Sequence, residues 1–139
     1  MRNVARTSPW AQMLDGPGTA SVVLVIDDDV QVRSLICHYL KSAGYNVREA
    51  SSAISAVACV QESDVKAVVL DLFMPGQDGF EVIRALWHSE RKPKILAITG
   101  YAEPFLRIAR ELGADAVLSK PFGPDELLAK VRELLASSP

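Results

Sequence analysis

This chain of 139 residues has few cysteines and no long apolar run. Its two cysteines, Cys37 and Cys59, form no CxxC pair and no cluster with histidine, which favours reduced thiols over a disulfide framework or a zinc site. The longest apolar runs are as long as a strand, far short of the roughly 18 residues that suggest a membrane span. Arg2 and Arg6 are followed by polar residues rather than by the apolar part of a signal peptide. We therefore expect a cytoplasmic protein with no membrane partner.

An excess of basic residues is also absent. The chain has 15 lysines and arginines against 17 aspartates and glutamates, and the net charge of −2 gives no electrostatic case for direct binding of nucleic acid. With 49% hydrophobic and 23% charged residues, the composition is that of an ordinary globular protein. A domain of this length can bury about two-thirds of the surface of its unfolded chain, so a sizeable core is expected.

Four short apolar runs and one mixed segment at 45–50 alternate with stretches in which apolar residues recur with the period of a helix. This alternation predicts an α/β protein in which a parallel sheet is covered by helices on both faces. Residues 1–20 lack that period and contain serine, proline and glycine, so we interpret them as a flexible arm that precedes a domain at 21–139. The predicted strands are 21–26, 45–50, 68–71, 94–99 and 116–119.

The helical period assigns Leu35, Ile54 and Trp87 to the buried faces of the first three helices. Ser52 or the serine before it is expected to begin the second helix, and Asp29 is expected either to be solvated or to cap the first. Glycines after the first and fourth helices indicate where these helices end. The predicted helices are 32–40, 51–60, 80–87, 103–112 and 124–135.

Polar side chains stand at the ends of four predicted strands, and the carboxyl ends of parallel strands share the edge where open α/β sheets bind ligands. Asp27 and Asp28 follow the first strand, Asp71 ends the third, and Thr99 and Lys120 stand at the ends of the last two. Clustered carboxylates repel one another unless a cation joins them, and an all-oxygen site favours Mg²⁺ or a similar hard ion. Asp71 could then attack phosphorus as a nucleophile, with Thr99 and Lys120 contacting the phosphoryl oxygens.

The residues around these strand ends form motifs that resemble the receiver domain of two-component response regulators. The motifs are Ile26-Asp27-Asp28-Asp29, Leu70-Asp71-Leu72-Phe73-Met74-Pro75-Gly76 with Asp78-Gly79, Ile98-Thr99-Gly100 and Lys120-Pro121-Phe122, within residues 22–135. The resemblance implies a flavodoxin-like, doubly wound sheet of five parallel strands in the order 2-1-3-4-5, with five helices. It also implies that Asp71 accepts a phosphoryl group from a sensor histidine kinase or a histidine phosphotransfer protein, and that the switched protein signals through protein contacts.

The same resemblance implies one bound Mg²⁺. Its implied ligands are Asp27, Asp28, Asp71 and the backbone carbonyl of Phe73. Thr99 and Lys120 are expected to contact the phosphoryl group, and the Lys120-Pro121 peptide bond is expected to be cis. The resemblance names no downstream target, and it leaves open whether phosphorylation drives formation of a homodimer.

Two features depart from the usual pattern of this family. An aromatic residue, whose ring turns inward on activation, usually stands three positions before the lysine, where this chain has Val117. We therefore expect the signal to leave through the loop and helix after Thr99. Phe73 and Tyr101 stand two residues beyond Asp71 and Thr99, where their rings could shield the acyl phosphate from water, so we predict slow self-dephosphorylation.

Four other functions were weighed against this interpretation. A phosphatase of the haloacid dehalogenase type needs a second aspartate two residues after its nucleophile, where Phe73 stands. The phosphate of a flavin would be repelled by the aspartates after the first strand. An interaction module that is never phosphorylated, and a receiver fragment of a longer DNA-binding regulator, stay as alternatives to the stand-alone regulator that we expect because no output domain follows the last predicted helix.

Overall fold

The computed structural model of the protein describes residues 21–74, 77–100 and 105–136. The predicted arm at 1–20, the ring of Tyr101 and the predicted helix start at Glu103 lie outside these residues. Within the described ranges, no helix has the length and apolar character that crossing a membrane would require.

Apart from two short strands that were not predicted, strands and helices alternate along the described residues as expected. The strands are β1 (Val22–Ile26), β2 (Asn46–Ala50), β3 (Val65–Asp71), β4 (Phe73–Met74), β5 (Gln77–Asp78), β6 (Lys94–Thr99) and β7 (Ala116–Ser119). The helices are α1 (Val30–Ser42), α2 (Ala53–Glu62), α3 (Gly79–Trp87), α4 (Phe105–Leu112) and α5 (Pro124–Ala136).

Five of the strands form one parallel sheet in the order β2-β1-β3-β6-β7. Without the two short strands, this order is 2-1-3-4-5, so the predicted fold is confirmed. The short strands β4 and β5 pair with each other in an antiparallel ladder, Phe73 with Asp78 and Met74 with Gln77. The sequence did not predict this ladder, because proline and glycine between the two strands indicate only a turn.

The sheet separates two apolar layers, because successive side chains of a strand point to opposite faces. In β1, Leu24 and Ile26 pack toward α2, α3 and α4, whereas Val23 and Val25 pack toward α1 and α5. All four of these side chains are fully buried. Burying an aliphatic side chain of this size contributes about 1.5–3 kcal/mol, so both layers hold the strand ends in place.

The helix caps agree with the sequence, but three predicted core residues do not. Asp29 accepts hydrogen bonds from the first turn of α1, and Ser52 accepts one from the first turn of α2. Leu35, Ile54 and Trp87 were predicted to be buried and are 50%, 85% and 50% exposed. Adjacent helical residues are rotated by about 100°, and the stripe that touches the sheet is narrower than the apolar pattern in the sequence suggests.

Candidate functional site at the carboxyl edge of the sheet

The fold brings the predicted polar side chains to one edge of the sheet. Asp27 directly follows β1, Asp71 and Thr99 are the last residues of β3 and β6, and Lys120 directly follows β7. The strands are parallel and in register, with Asp71 beside Ile98 and Thr99 beside Ser119. The backbone N–H of Lys120 donates to the carbonyl of Thr99 over 2.8 Å, which links the ends of these two strands.

Three carboxylates meet at this edge. One oxygen from each of Asp27, Asp28 and Asp71 lies within 4.8 Å of the other two. Asp27 and Asp71 are buried, and Asp28 is half-buried. Carboxylates at this spacing repel one another, and a hard divalent cation bound between them would remove that repulsion.

Asp27 offers a donor atom that fits such a cation. Its Oδ1 accepts a hydrogen bond from the backbone N–H of Asp29 over 2.9 Å. Its Oδ2 is buried and has no hydrogen-bond partner among the described residues. Burial raises the pKa of the Asp27 carboxyl, the N–H of Asp29 opposes the rise, and the charge of Asp71 adds to it. A buried oxygen without a partner is costly, so Oδ2 is suited to a metal ion or to its water.

Asp71 is held from two sides. Its Oδ2 lies 3.6 Å from Nζ of Lys120, and its Oδ1 accepts a hydrogen bond from the backbone N–H of Phe73 over 3.3 Å. Burial nevertheless raises the pKa of the Asp71 carboxyl, because the nearby ammonium and N–H group only partly compensate for lost water. A cationic partner and a fixed direction are features that a carboxylate nucleophile needs.

Thr99 and the loop after β7 complete the edge. Thr99 is fully buried at the end of β6. The Lys120-Pro121 peptide bond is cis, as predicted. Thr99 and Lys120 therefore stand at the ends of two adjacent strands, and the ammonium of Lys120 reaches Asp71.

Gly79 fixes the loop that follows Asp71. Its N–H donates to the carbonyl of Leu72 over 3.1 Å, which closes the short β4–β5 ladder against the start of α3. A Cβ added at Gly79 would lie 2.5 Å from that carbonyl oxygen and 2.6 Å from the Cα of Leu72. Only glycine allows the two backbone segments to approach this closely.

Phe73, whose backbone N–H contacts Asp71, is part of a group of three aromatic rings. The ring of Phe73 is 38% exposed, and it meets Phe105 at 5.0 Å and Phe80 at 5.9 Å in edge-to-face geometry. The sequence predicted a role for Phe73 but not this grouping. The three residues belong to three different elements, β4, α3 and α4, and no periodic signal connects them.

Sequence reasoning also missed Arg33 and Glu49. Nε of Arg33 lies 2.9 Å from Oε1 of Glu49, and the same guanidinium donates to the backbone carbonyl of Asp27. The sequence signal was weak, because a basic residue in the first turn of a helix is ordinarily a solvated one. The contact is nevertheless directly behind the acidic cluster.

Comparison with known proteins identifies the family to which these features belong. Residues 23–132 match the sequence profile of the response regulator receiver domain. The chain belongs to this family. As a receiver domain, it is 36% identical over 116 residues to the transcriptional regulatory protein GltR of Pseudomonas aeruginosa, covering 81% of this chain and 48% of GltR. It is 37% identical over 131 residues to TcrA of Mycobacterium tuberculosis, covering 89% of this chain and 52% of TcrA.

The chain spans about half the length of these curated relatives. Its receiver fold also matches the crystal structure of the chemotaxis response regulator CheY4 of Vibrio cholerae with a TM-score of 0.78 and 31% identity. That match covers 84% of this chain and 100% of the CheY4 chain. The receiver fold therefore occurs among its relatives both as part of a longer regulator and as the whole of a crystallised chain.

Proposed function

We propose that the protein is a phosphorylation-dependent signalling switch in which Asp71 accepts a phosphoryl group from a sensor histidine kinase or a histidine phosphotransfer protein. The main support for this proposal is the set of charged groups that surround Asp71. Its carboxylate lies beside the oxygens of Asp27 and Asp28 and 3.6 Å from the ammonium of Lys120, at the sheet edge where the fold binds ligands. Membership of the receiver domain family supports the same function.

In the proposed reaction, an oxygen of Asp71 attacks the phosphorus of a phosphohistidine in line with the P–N bond. The new O–P bond forms as the P–N bond breaks, and the imidazole leaves with that electron pair. We assign to Lys120 the neutralisation of charge on the phosphoryl oxygens, and to the hydroxyl of Thr99 a hydrogen bond to one of them. Phosphoryl transfer depends mainly on such positioning and charge neutralisation, so the protein needs no acid or base of its own.

The proposed cofactor is Mg²⁺, and the donor set fits it because all the available ligands are oxygens. We assign it to the carboxylates of Asp27, Asp28 and Asp71 and to the backbone carbonyl of Phe73. The unpartnered Oδ2 of Asp27 supports this assignment. When bound, the ion supplies positive charge that offsets both the carboxylates and the incoming phosphoryl oxygens.

The aspartyl phosphate is proposed to be hydrolysed slowly. The ring of Phe73 stands two residues from Asp71 and is packed between Phe80 and Phe105, which restrains it beside the path of attacking water. We expect Phe73→Asn to shorten the lifetime of the acyl phosphate about tenfold or more, since loss of the ring opens that path. Release of inorganic phosphate from the phosphorylated protein measures the lifetime. Trp87→Leu is the matched control, because Trp87 is a half-exposed aromatic residue at the far end of α3. Equal lifetimes for wild type and Phe73→Asn would contradict the shielding role.

The proposed partners follow from the same edge. The phosphodonor must reach Asp71, so it is expected to dock around the acidic cluster, and a downstream protein target is expected to contact the α4, β7 and α5 surface. We propose the cytoplasm as the place of action and 21–139 as the extent of the receiver domain. A phosphorylation-dependent homodimer fits the same surface.

A second candidate function has a specific observation in its favour. The transcriptional relatives are about twice as long as the match, so the chain could serve as the receiver part of a longer DNA-binding regulator. The match to CheY4 covers the whole of that chain, so a stand-alone regulator is the other candidate. Both candidates share the phosphoacceptor and differ only in what the switched domain controls.

The decisive experiment is intact-mass measurement after incubation with acetyl phosphate and Mg²⁺. We expect one added phosphoryl group on the wild type, none on Asp71→Asn, and none when a chelator removes the metal. Asp64→Asn is the matched control, because Asp64 is an exposed aspartate just before the opposite end of the same strand. If neither acetyl phosphate nor a second small donor phosphorylates the folded wild type, the unphosphorylated interaction module becomes the better interpretation.

A further inference from the structure

Arg33 reaches from the first turn of α1 to the backbone behind the acidic cluster. Its guanidinium donates to the carbonyl oxygen of Asp27, and its Nε lies 2.9 Å from Oε1 of Glu49 on β2. The side chain of Arg33 is only 16% exposed, and that of Glu49 is 45% exposed. A guanidinium withdrawn this far from water needs acceptors of its own, and these two oxygens supply them.

The carbonyl that Arg33 contacts belongs to the peptide group that joins Asp27 to Asp28. The orientation of this peptide plane sets the direction of one carboxylate relative to the other, because the planar group includes the Cα atoms of both aspartates. Asp27 is also held through its backbone N–H, which donates to Ala50 over 3.4 Å, and through its Oδ1. Arg33 restrains the carbonyl oxygen of the peptide itself.

The contact of Arg33 with this peptide opposes the electrostatic repulsion between the carboxylates. Without a cation, the carboxylates of Asp27, Asp28 and Asp71 repel one another, and repulsion favours any rotation that separates them. A charge-assisted hydrogen bond to the peptide oxygen resists that rotation, and the ion pair with Glu49 keeps the guanidinium in place on its other side. The cluster would then be arranged for a divalent cation before the cation arrives, which lowers the cost of binding.

We propose that Arg33 is a positioning residue that preorganises the carboxylates of Asp27 and Asp28 for a divalent cation, and that Glu49 orients Arg33 for this task. The inference rests on the proposed metal-dependent function and deepens it. Arg33 does not contact the cation or the phosphoryl group. Its effect passes through the peptide group between the two aspartates.

The test is titration of the metal-free protein with Mn²⁺, a spectroscopic substitute for Mg²⁺, by calorimetry. We expect Arg33→Met to raise the Kd for Mn²⁺ about tenfold, the size of effect that follows from losing one hydrogen bond to a charged group. Arg33→Lys keeps the charge but not the two-directional fork, so it should restore only part of the affinity. Arg84→Met is the matched control, because Arg84 forms an exposed pair with Glu81 at 3.8 Å on α3.

A second readout needs no metal. Backbone amide resonances of Asp28 and Asp29 in the metal-free protein should shift in Arg33→Met and stay in place in Arg84→Met. If Arg33→Met does not fold, Glu49→Ala leaves the arginine present and should still weaken Mn²⁺ binding.

The outcomes separate the two proposals. A folded Arg33→Met that binds Mn²⁺ as tightly as the wild type would overturn the positioning role while leaving the metal site intact. Failure of the wild type itself to bind Mn²⁺ would overturn the metal site, and the positioning role with it. A fall in thermal stability alone, with the Kd and the two amide resonances unchanged, would show that Arg33 is merely structural.

Discussion

The three consecutive aspartates after β1 are expected to have different roles. Replacing Asp29 should affect the stability of the fold, whereas replacing Asp27 or Asp28 should affect metal binding. Asp29 is exposed, and its carboxylate accepts hydrogen bonds from the backbone N–H groups of Gln31 over 2.9 Å and Val32 over 3.2 Å. Its carboxylate therefore caps α1 and is not one of the three that form the acidic cluster. Asp29→Ala should lower the stability of the fold without weakening metal binding.

The magnitude follows from the cap. Replacing an aspartate N-cap with alanine costs about 0.5–2 kcal/mol, and an exposed carboxylate near a helix N-terminus contributes about 0.3–1 kcal/mol of that at low ionic strength. We expect a loss of about 1 kcal/mol in the free energy of unfolding, or about 3–5 °C in Tm for a domain of this size. Asp29→Asn keeps the acceptor oxygen and should recover more than half of the loss.

Urea unfolding followed by far-UV circular dichroism measures the stability, with the slope of the transition checked for constancy. Calorimetric titration with Mn²⁺ measures the site in the same variants. The backbone N–H of Asp29, which donates to Asp27, is retained in Asp29→Ala. The reasoning would be refuted if Asp29→Ala unfolded within about 0.3 kcal/mol of the wild type, or if it lost metal affinity as Asp28→Asn is expected to.

Three further predictions concern the stability of the fold and the reactivity of its cysteines. Because burial raises the pKa of Asp71 above its ordinary value of 3.8, ionisation costs stability as the pH rises through the folded-state pKa. Asp71→Asn should therefore unfold at higher urea than the wild type at pH 7 in chelator, with the gain shrinking toward pH 4; a constant gain at all pH values would contradict this. Gly79→Ala should destabilise the fold by about 3 kcal/mol or more, since its Cβ would meet the Leu72 carbonyl at 2.5 Å, and an unchanged Tm would show that the loop yields. Burial raises the pKa of Cys37 to about 11, so a disulfide reagent at pH 8 should label the half-buried Cys59 first, as single-cysteine variants would reveal.

The sequence predicts the features of this fold that depend on local periodicity. Four of the five main strands are largely apolar runs, and the caps at Asp29 and Ser52 are short-range signals. The parallel sheet then requires that residues at the ends of its strands meet at one edge. This explains why Asp27, Asp71 and Lys120 could be expected together before any coordinates were known.

Contacts between distant segments were not predictable in this way. Arg33 and Glu49 are 16 positions apart, and Phe73 and Phe105 belong to different units of the fold. The exposure of Leu35 was not predicted, because the spacing of apolar residues along a helix does not show where the buried face ends. Leu35 lies next to the buried residue Ile36 but outside that face. Pattern reasoning shows which elements meet, but the rotation of each helix on the sheet decides which side chains touch.

The two apolar layers have a consequence for how such a protein can diverge. Ile36, Cys37 and Leu40 of α1 share one layer with α5, whereas Val82, Ile83 and Leu86 of α3 share the other with α2 and α4. The three central strands of the sheet, β1, β3 and β6, are mostly buried and separate the two layers, so a substitution that repacks one layer need not disturb the other. Helices on one side could therefore acquire a new partner while those opposite, and the strand ends between them, are inherited unchanged.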